Sequence, residues 1–305
     1  MTGRPQGNER RIAQVAVGSI AVAVAVMALK LIAYWQTGSV ALYSDALESI
    51  VNLVTAAVAL YAIHVAHQPA DPRHQFGHHK AEYFSAVIEG VLIVVAALLI
   101  LREAYEALLT PRTLGNLSLG LGFNALATVV NACWSAFLIQ WGGRQRSPAL
   151  VADGWHLLTD VATSVGVLIG LLLAAVSGWY ILDPVMAALV AVNILWAGWK
   201  LVRESVGGLM DEAVPAEVGE RIRAVIADNA AGAIEAHDVR TRMAGRACFI
   251  EFHLVVPDEM TVATSHAICD RLEAALHAAV PGAEVLIHVE PEIEAKKPGH
   301  MVVSG

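Results

Sequence analysis

The sequence is poor in the residues from which several common classes of protein are built. Charged residues make up only 16% of its 305 residues, and acidic residues outnumber basic ones by 28 to 20. A protein that binds nucleic acid needs a basic patch, so we expect no nucleic-acid partner. The cysteines are Cys133, Cys248 and Cys269. They lie far apart and form no CxxC pair, which argues against a disulfide framework or a thiolate zinc cluster.

Signatures of ATP-driven pumps and of zinc proteases are missing as well. The sequence contains neither a GxxxxGK[ST] phosphate-binding loop nor an HExxH motif, so neither class fits. We expect no removable signal peptide before the first apolar segment. No plausible catalytic nucleophile stands out, and we expect a protein that is not an enzyme.

What the sequence has in excess is apolar residues, which account for 56% of the chain. This proportion is typical of a polytopic membrane protein rather than a soluble one of this length. Six apolar segments have about the 20 residues that are needed to cross a bilayer. They are residues 12–34, 40–62, 81–109, 117–141, 150–176 and 184–206.

Beyond residue 206 the composition becomes that of an ordinary soluble domain. Helical and strand periodicities alternate there in the order α-β-β-α-β, which predicts a small ferredoxin-like α+β domain after a six-helix membrane domain. The predicted helices are 216–229 and 265–279, and the predicted strands are 237–243, 247–256 and 284–289. We therefore divide the chain into a polar N-terminal segment (1–11), a transmembrane domain (12–210), a cytoplasmic domain (211–292) and a flexible C-terminal end (293–305).

The positions of the basic residues predict the orientation in the membrane. The N-terminus and the loops at 64–80 and 142–147 carry most of the arginines and lysines near the spans, whereas the opposite side carries only Arg112. Because positive residues remain on the cytoplasmic side, both termini are predicted to be cytoplasmic.

Two stretches of the membrane domain are near copies of each other. Residues 39–52 read SVALYSDALESIVN, and residues 147–160 read SPALVADGWHLLTD. Each copy carries polar side chains at x, x+3 and x+7, which share one face of a helix. These are Asp45, Glu48 and Asn52 in the first copy and Asp153, His156 and Asp160 in the second.

The four carboxylates of these copies would together cost on the order of 10 kcal/mol if they faced lipid. They must therefore face the helix bundle or water. One interpretation is hydrogen bonding between helices. The other is a cation site, because Glu48, Asn52, His156 and Asp160 offer the single nitrogen and three oxygens of a tetrahedral zinc site. Asp45 and Asp153 lie one turn earlier, where they would orient the ligands or line the access path.

The 64–80 loop holds a second group of ligand-type residues. His74 and His78 are four residues apart, and Asp71 lies three residues before His74. This spacing suits zinc, although a polar loop with solvated histidines would look the same. We expect the neighbouring His79 to face solvent.

With these motifs, the sequence resembles the cation diffusion facilitator family, whose members are proton-coupled exporters of divalent metals. The resemblance extends from about residue 12 to residue 292. It implies that the second and fifth spans each present two metal ligands, which fall on Glu48/Asn52 and His156/Asp160. The His/Asp pair is usual for zinc exporters, whereas Glu/Asn is not. Zinc is the expected cargo, with iron, manganese, cobalt, nickel or cadmium as alternatives and a membrane metal sensor as the rival interpretation.

The resemblance also implies roles outside the spans. Asp71, His74 and His78 correspond to a loop metal site, and Lys80 would form an ion pair with Asp211. The cytoplasmic domain would dimerise and bind zinc through a set of ligands that fall on His237, His253, His266, His288 and Glu290. In that last position the family more often has aspartate.

The expected mechanism is alternating access in which protons and a cation compete for the same ligands. Histidine changes charge near cytoplasmic pH, so His156 is the residue at which this competition is expected. The expected location is a bacterial inner membrane. Glu89 in the third span is either a buried structural carboxylate or a second proton carrier.

Overall fold

In a computed structural model, the described residues are 6–110, 115–144, 148–296 and 301–302. They pack into two compact units, each of which is described separately. The first unit comprises residues 1–58 and 88–202, and the second comprises residues 59–87 and 203–305. The predicted domain boundaries, including the end of the N-terminal segment at residue 11, stay predictions.

Six helices in the described residues are long and apolar enough to cross a membrane, in agreement with the predicted number of spans. Their bounds are α1 (Gln6–Thr37), α2 (Val40–Ala66), α3 (Ala81–Leu109), α4 (Leu117–Arg144), α5 (Pro148–Ser177) and α6 (Leu182–Leu209). Most extend a few residues beyond the predicted spans. The apolar segment marks the part of a helix that lies in lipid, whereas the backbone hydrogen bonds of the helix continue into polar turns.

Within the first unit, α4 packs against both α1 and α5. Close approach of α4 and α5 depends on Gly154, where an added Cβ would lie only 2.7 Å from the side chain of Ile139. Small residues are the usual means by which membrane helices approach each other, because lipid offers no hydrophobic driving force between them. Gly154 lies in the second copy of the repeat, so this contact fixes the position of that copy along α4.

The second unit contains the small α+β domain that the sequence predicts. After α6 come α7 (Ala216–Asn229), β1 (Glu235–Ala244), β2 (Ala247–Val256), α8 (Val262–Ala279), β3 (Ala283–Pro291) and the short β4 (Met301–Val302). The sheet has the order β3-β2-β1-β4, with β2 antiparallel to β1 and parallel to β3. This confirms the predicted fold class, a six-helix membrane domain followed by a ferredoxin-like domain.

Alternation along the strands separates the two faces of this sheet. Residues such as Ile250, Phe252 and Leu254 of β2 pack with α7 and α8 in the core of the domain. The residues between them point to the other face. On that face the register aligns His237 of β1 with His253 of β2 and His288 of β3.

A β-bulge follows His237 directly. The register between β1 and β2 shifts between His237 and Arg240, and Asp238 has a φ of 51°. A bulge bends its strand locally and re-aims the neighbouring side chain. The Lys296 ammonium donates a hydrogen bond to Asp238 and thereby lowers the pKa of that carboxyl group.

In the described part of the C-terminal end, Glu292–Glu294 form a 3-10 turn, and β4 pairs with Glu235 and Ala236 of β1. This pairing covers part of a strand that would otherwise be an edge with unpaired backbone groups. The predicted flexibility from residue 293 stays a prediction. Residues 297–300 and 303–305 lie outside the described residues.

Candidate metal centres

In the first unit, the two halves of the predicted transport site come together. Glu48 and Asn52 lie one turn apart on α2, and His156 and Asp160 lie one turn apart on α5. The Asn52 amide Nδ2 donates a hydrogen bond of 3.2 Å to Asp160 Oδ2. Asp160 is buried and Glu48 is half-buried, whereas His156 is exposed in the chain by itself. Glu89 on α3 interacts electrostatically with His156, and its role stays open.

Asp45, one turn before Glu48, is fully engaged by neighbouring side chains. It is 2% exposed, and its Oδ1 lies 2.8 Å from Lys30 Nζ and accepts a 2.8 Å hydrogen bond from Ser164 Oγ. Its Oδ2 accepts a 2.6 Å hydrogen bond from Asn124 Nδ2. These donors come from α1, α5 and α4, so Asp45 joins four helices beside the candidate site. The geometry suits an orienting residue better than a ligand.

Lys30 is a functional candidate that the sequence reasoning missed. It is 2% exposed, although an ammonium group in a membrane helix costs several kcal/mol unless it is paired. A lysine within an otherwise apolar span was the available signal. Because a buried charge requires a partner, the lysine predicts a buried carboxylate beside it, but helix packing decides which of the carboxylates in the spans this is.

Asp153, the counterpart of Asp45 in the second copy, has different surroundings. It is half-buried and accepts a 2.9 Å hydrogen bond from Ser19 Oγ of α1. That hydroxyl in turn accepts a 2.9 Å hydrogen bond from the indole nitrogen of Trp134. Asp153 therefore holds α1, α4 and α5 together through neutral donors.

The N-terminus of α2 is held by Asp183 of α6. The Asp183 carboxylate accepts hydrogen bonds from the backbone N–H groups of Val40 at 2.8 Å and Ala41 at 3.1 Å, and from the Ser39 hydroxyl. These are among the backbone donors that a helix leaves unsatisfied at its start. The equivalent serine of the second copy, Ser147, lies outside the described residues.

In the second unit, the three predicted ligands of the 64–80 loop form a cluster. His74 Nδ1 lies 3.2 Å from Asp71 Oδ1, and His78 Nε2 lies 3.4 Å from Asp71 Oδ2. The backbone N–H groups of His74 and Arg73 both donate to Asp71 Oδ1 and lower the pKa of this carboxyl group. His79 is not part of the cluster. Contrary to expectation it is half-buried, because its ring is turned toward Gly77.

A second cluster lies on the open face of the sheet. Glu290 Oε2 is 3.3 Å from His237 Nε2, and Glu290 Oε1 is 2.7 Å from His253 Nδ1. His288 Nε2 is farther from Glu290 Oε1, at 3.8 Å. His266 is placed elsewhere, because it faces Asp270 on the exposed side of α8 at 3.6 Å. In this chain alone, His266 does not join the other predicted ligands.

Two donors bound tetrahedrally at zinc distances of about 2.0–2.1 Å are about 3.3 Å apart. The carboxylate–imidazole separations of 3.2 and 3.4 Å in the loop bracket that value. In the sheet the separation between Glu290 and His237 is 3.3 Å, whereas the 2.7 Å between Glu290 and His253 is a direct contact that would have to lengthen around an ion. Glu290 Oε2 is also buried without a hydrogen-bond partner among the described residues, which leaves its lone pairs available to a metal ion. Among the described residues, groups of three His, Cys or carboxylate donors within 4.8 Å occur at these two places.

The predicted ion pair between Lys80 and Asp211 has a Nζ–Oδ1 distance of 2.9 Å. Arg242 Nη1 approaches the same carboxylate oxygen at 3.1 Å, and the hydrogen bonds from Lys80 and Arg242 lower the pKa of Asp211. Arg242 was missed by the sequence reasoning. Its guanidinium lies over the Phe249 ring at 4.2 Å and over the Phe76 ring at 5.6 Å, so cation–π contacts hold it in place.

Comparison with known families assigns both parts of the chain. Residues 16–210 match the model of the cation efflux transmembrane domain, and residues 214–292 match that of the cation efflux protein cytoplasmic domain. The chain is 45% identical over 285 residues to the "Uncharacterized transporter sll1263" of Synechocystis sp., covering 93% of this chain and 92% of that protein. It is 32% identical over 288 residues to the cation-efflux pump FieF of Yersinia pestis, covering 92% and 93%.

Among solved structures, the Zn form of CzrB is 50% identical to the part that it matches. It covers 28% of this chain and 99% of its own, with a TM-score of 0.28.

Proposed function

The chain belongs to the cation diffusion facilitator family of divalent metal cation efflux proteins, and from this premise we propose that it exports Zn²⁺ in exchange for protons. It is an integral membrane transporter and not an enzyme. The observation that carries the proposal is the 3.2 Å contact between Asn52 and Asp160. This contact brings a pair of candidate ligands on α2 against a pair on α5.

The proposed cargo site consists of Glu48, Asn52, His156 and Asp160. The Asn52 amide donates its N–H to the Asp160 carboxylate. To bind a cation the amide must turn its oxygen toward the ion, since only the oxygen has a lone pair to offer. The resulting set of one nitrogen and three oxygens matches the donors of tetrahedral zinc sites.

Protons and the cation would compete for these ligands. Metal ligands must be deprotonated, so binding of Zn²⁺ at His156 and the carboxylates releases protons, and protonation releases Zn²⁺. Histidine is the side chain that changes charge nearest to neutral pH. In the proposed cycle, Zn²⁺ enters from the cytoplasm and displaces protons, and protons that return from outside expel it there.

The orientation and location follow the same proposal. The bias of arginine and lysine toward one set of loops supports cytoplasmic termini. We place the protein in a bacterial inner membrane, as a homodimer joined through the domain formed by residues 214–292. The loop cluster at Asp71 and the sheet cluster at Glu290 would hold regulatory or structural zinc that responds to the cytoplasmic concentration.

Flux measurements in proteoliposomes test this function. We expect Zn²⁺ to accumulate in vesicles with an acidic lumen, because protons leaving the lumen drive its uptake. His156→Ala should reduce the flux to that of protein-free vesicles. The matched control is His277→Ala, since His277 is an exposed histidine of α8 outside all predicted sites. Wild-type flux and wild-type pH dependence in His156→Ala would contradict the proposed role.

A harder divalent cation is the second candidate cargo, and Asn52 is the observation that favours it. A neutral amide oxygen is a harder ligand than a histidine nitrogen. Asn52 therefore favours manganese or iron over zinc more than a histidine at this position would. The same vesicles, loaded in turn with zinc, manganese, iron, cobalt, nickel or cadmium, decide between the cargoes. If none of these ions moves, the protein is a metal sensor rather than a transporter.

A further inference from the structure

A second buried carboxylate lies beside the candidate metal-binding cluster of the sheet, which consists of His237, His253 and Glu290. Glu235 begins β1, two residues before His237, and is only 5% exposed. Its Oε1 lies 3.3 Å from His237 Nδ1 and accepts no hydrogen bond from the described residues. A carboxylate is costly to bury unless it has a partner, so its position requires an explanation. The sequence reasoning overlooked Glu235.

His237 thus lies between two carboxylates, one at each ring nitrogen. Nδ1 faces Glu235, whereas Nε2 faces Glu290 at 3.3 Å. The two contacts are not equivalent. Glu290 also contacts His253 and is one of the mutually close donors of the cluster, while Glu235 is not among those donors. A metal ion in the cluster would therefore meet the Nε2 side of the ring.

The sheet register explains this arrangement. Two-residue alternation places Glu235 and His237 on the same face of β1. Glu235 is paired with Val255, which is paired with Glu290, so the two glutamates occupy one row of the sheet. The histidines at 237, 253 and 288 occupy the adjacent row. The backbone therefore places both glutamates in the row next to His237, and the side chains bring one carboxylate to each nitrogen of its ring.

We propose that Glu235 is a positioning residue: when a metal is bound at Nε2, Glu235 Oε1, which lies 3.3 Å from His237 Nδ1, accepts the Nδ1–H and thereby directs the Nε2 lone pair of this ring at the metal. A ring nitrogen can bind a metal only when its proton resides on the other nitrogen, and a carboxylate at the second nitrogen fixes that tautomer and orientation. The inference rests on the proposed zinc site of the sheet. It adds a residue that supports a ligand and does not itself touch the ion.

The test measures zinc affinity by calorimetry in the full chain, in detergent. A parent variant carries His156→Ala and His74→Ala, so that the sheet cluster dominates binding. Glu235→Leu should weaken zinc binding about 10–100-fold, the usual cost of removing such a supporting group. Glu235→Gln keeps an oxygen that can accept Nδ1–H and should recover part of this loss. The matched control is Glu251→Leu, at an exposed glutamate of β2, which should bind zinc like the parent.

A second readout separates positioning from ligation. Bound Co²⁺ reports its ligand set through its visible absorption spectrum. We expect Glu235→Leu, once saturated, to show the spectrum of the parent, whereas Glu290→Gln should change it because a ligand is replaced. A changed spectrum in Glu235→Leu would make Glu235 a ligand and overturn the positioning role. Parent-like zinc affinity in Glu235→Leu would overturn it as well. If the parent itself binds no zinc, the proposed sheet site fails, and this inference fails with it.

Discussion

The two copies of the repeat, residues 39–52 and 147–160, are similar in sequence and different in structure. In the first copy Asp45 is fully buried and bonded to the charged Lys30 and to two neutral donors. In the second copy the equivalent Asp153 is half-buried and accepts a hydrogen bond from the Ser19 hydroxyl. The two equivalent aspartates thus differ in their partners. The charge of Asp45 is compensated by Lys30, whereas Asp153 accepts a hydrogen bond from a neutral hydroxyl.

This difference indicates that the two copies have different roles in the candidate site. The first copy contributes the candidate ligand pair Glu48/Asn52. Beside this pair lie the buried Lys30 ammonium and a helix N-terminus that Asp183 holds. The second copy contributes the candidate pair His156/Asp160. We infer that the first copy is the fixed part of the candidate site. The Asp45 charge is balanced by Lys30 within the bundle, so this part of the copy cannot readily move to a different environment.

The largest expected effect comes from breaking the buried ion pair. Lys30→Met leaves Asp45 charged and uncompensated among α1, α2, α4 and α5, and should lower the free energy of unfolding by about 3–5 kcal/mol. Thermal and denaturant unfolding of the purified protein in detergent, followed by circular dichroism, measures this loss.

The matched control removes both charges at once. The double variant Lys30→Met/Asp45→Asn should recover most of the stability, since replacing a buried ion pair by neutral groups is far less costly than breaking it. Ser164→Ala, which removes a single hydrogen bond to the charged Asp45, should cost about 1.5–3 kcal/mol, less than breaking the ion pair. Equal stability of Lys30→Met and the wild type, or no recovery in the double variant, would show that the pair does not hold this copy.

The fold could be predicted from the sequence because its signals are periodic and local. Apolar segments of membrane length predicted the six spans, and strand alternation predicted the sheet with bounds that match β2 fully and β1 and β3 within two residues. The length of α1 and the pairing of β4 could not be predicted in this way. The first turns of α1 are polar, and β4 has only two residues, so the hydrophobic pattern carries no information about either.

The candidate sites were predictable only in part. Ligands that share a helix face or a loop, such as His156 and Asp160, could be read from spacing. Partners that meet across the fold, such as Lys30 with Asp45 or Asp183 with Ser39, depend on helix packing that spacing does not encode. Glu235 depends in the same way on strand register. His266 shows the converse, because a predicted ligand lies away from the cluster in the single chain.

An intermediate effect is expected from making the two ligand pairs more alike. Asn52→Asp adds a carboxylate to the first copy, so Zn²⁺ should bind more tightly, on the order of tenfold, because each added charge strengthens attraction to the ion. The same substitution places a carboxylate where the Asn52 amide now donates to Asp160. Repulsion between the two carboxylates should favour protonation of the empty site, and flux should depend more steeply on pH.

Competition transport assays in vesicles, with zinc against manganese at several values of pH, measure both changes. Asn52→Ser is the control, since it removes the amide without adding charge and should not raise zinc affinity. If Asn52→Asp leaves the preference between the two metals and the pH dependence unaltered, the difference between the two ligand pairs does not govern selectivity.

The smallest effect is expected at the position where the second copy departs from the first. Asp153→Asn keeps an oxygen that can accept the hydrogen bond from Ser19, so the free energy of unfolding should fall by less than about 1 kcal/mol. Asp45→Asn, the same substitution at the equivalent position, leaves the Lys30 ammonium buried without its carboxylate and should cost several times more. The difference between the unfolding free energies of these two variants measures the asymmetry of the repeat directly. Similar losses of unfolding free energy at the two positions would mean that the Lys30–Asp45 ion pair contributes no more to stability than the hydrogen bond from Ser19 to Asp153.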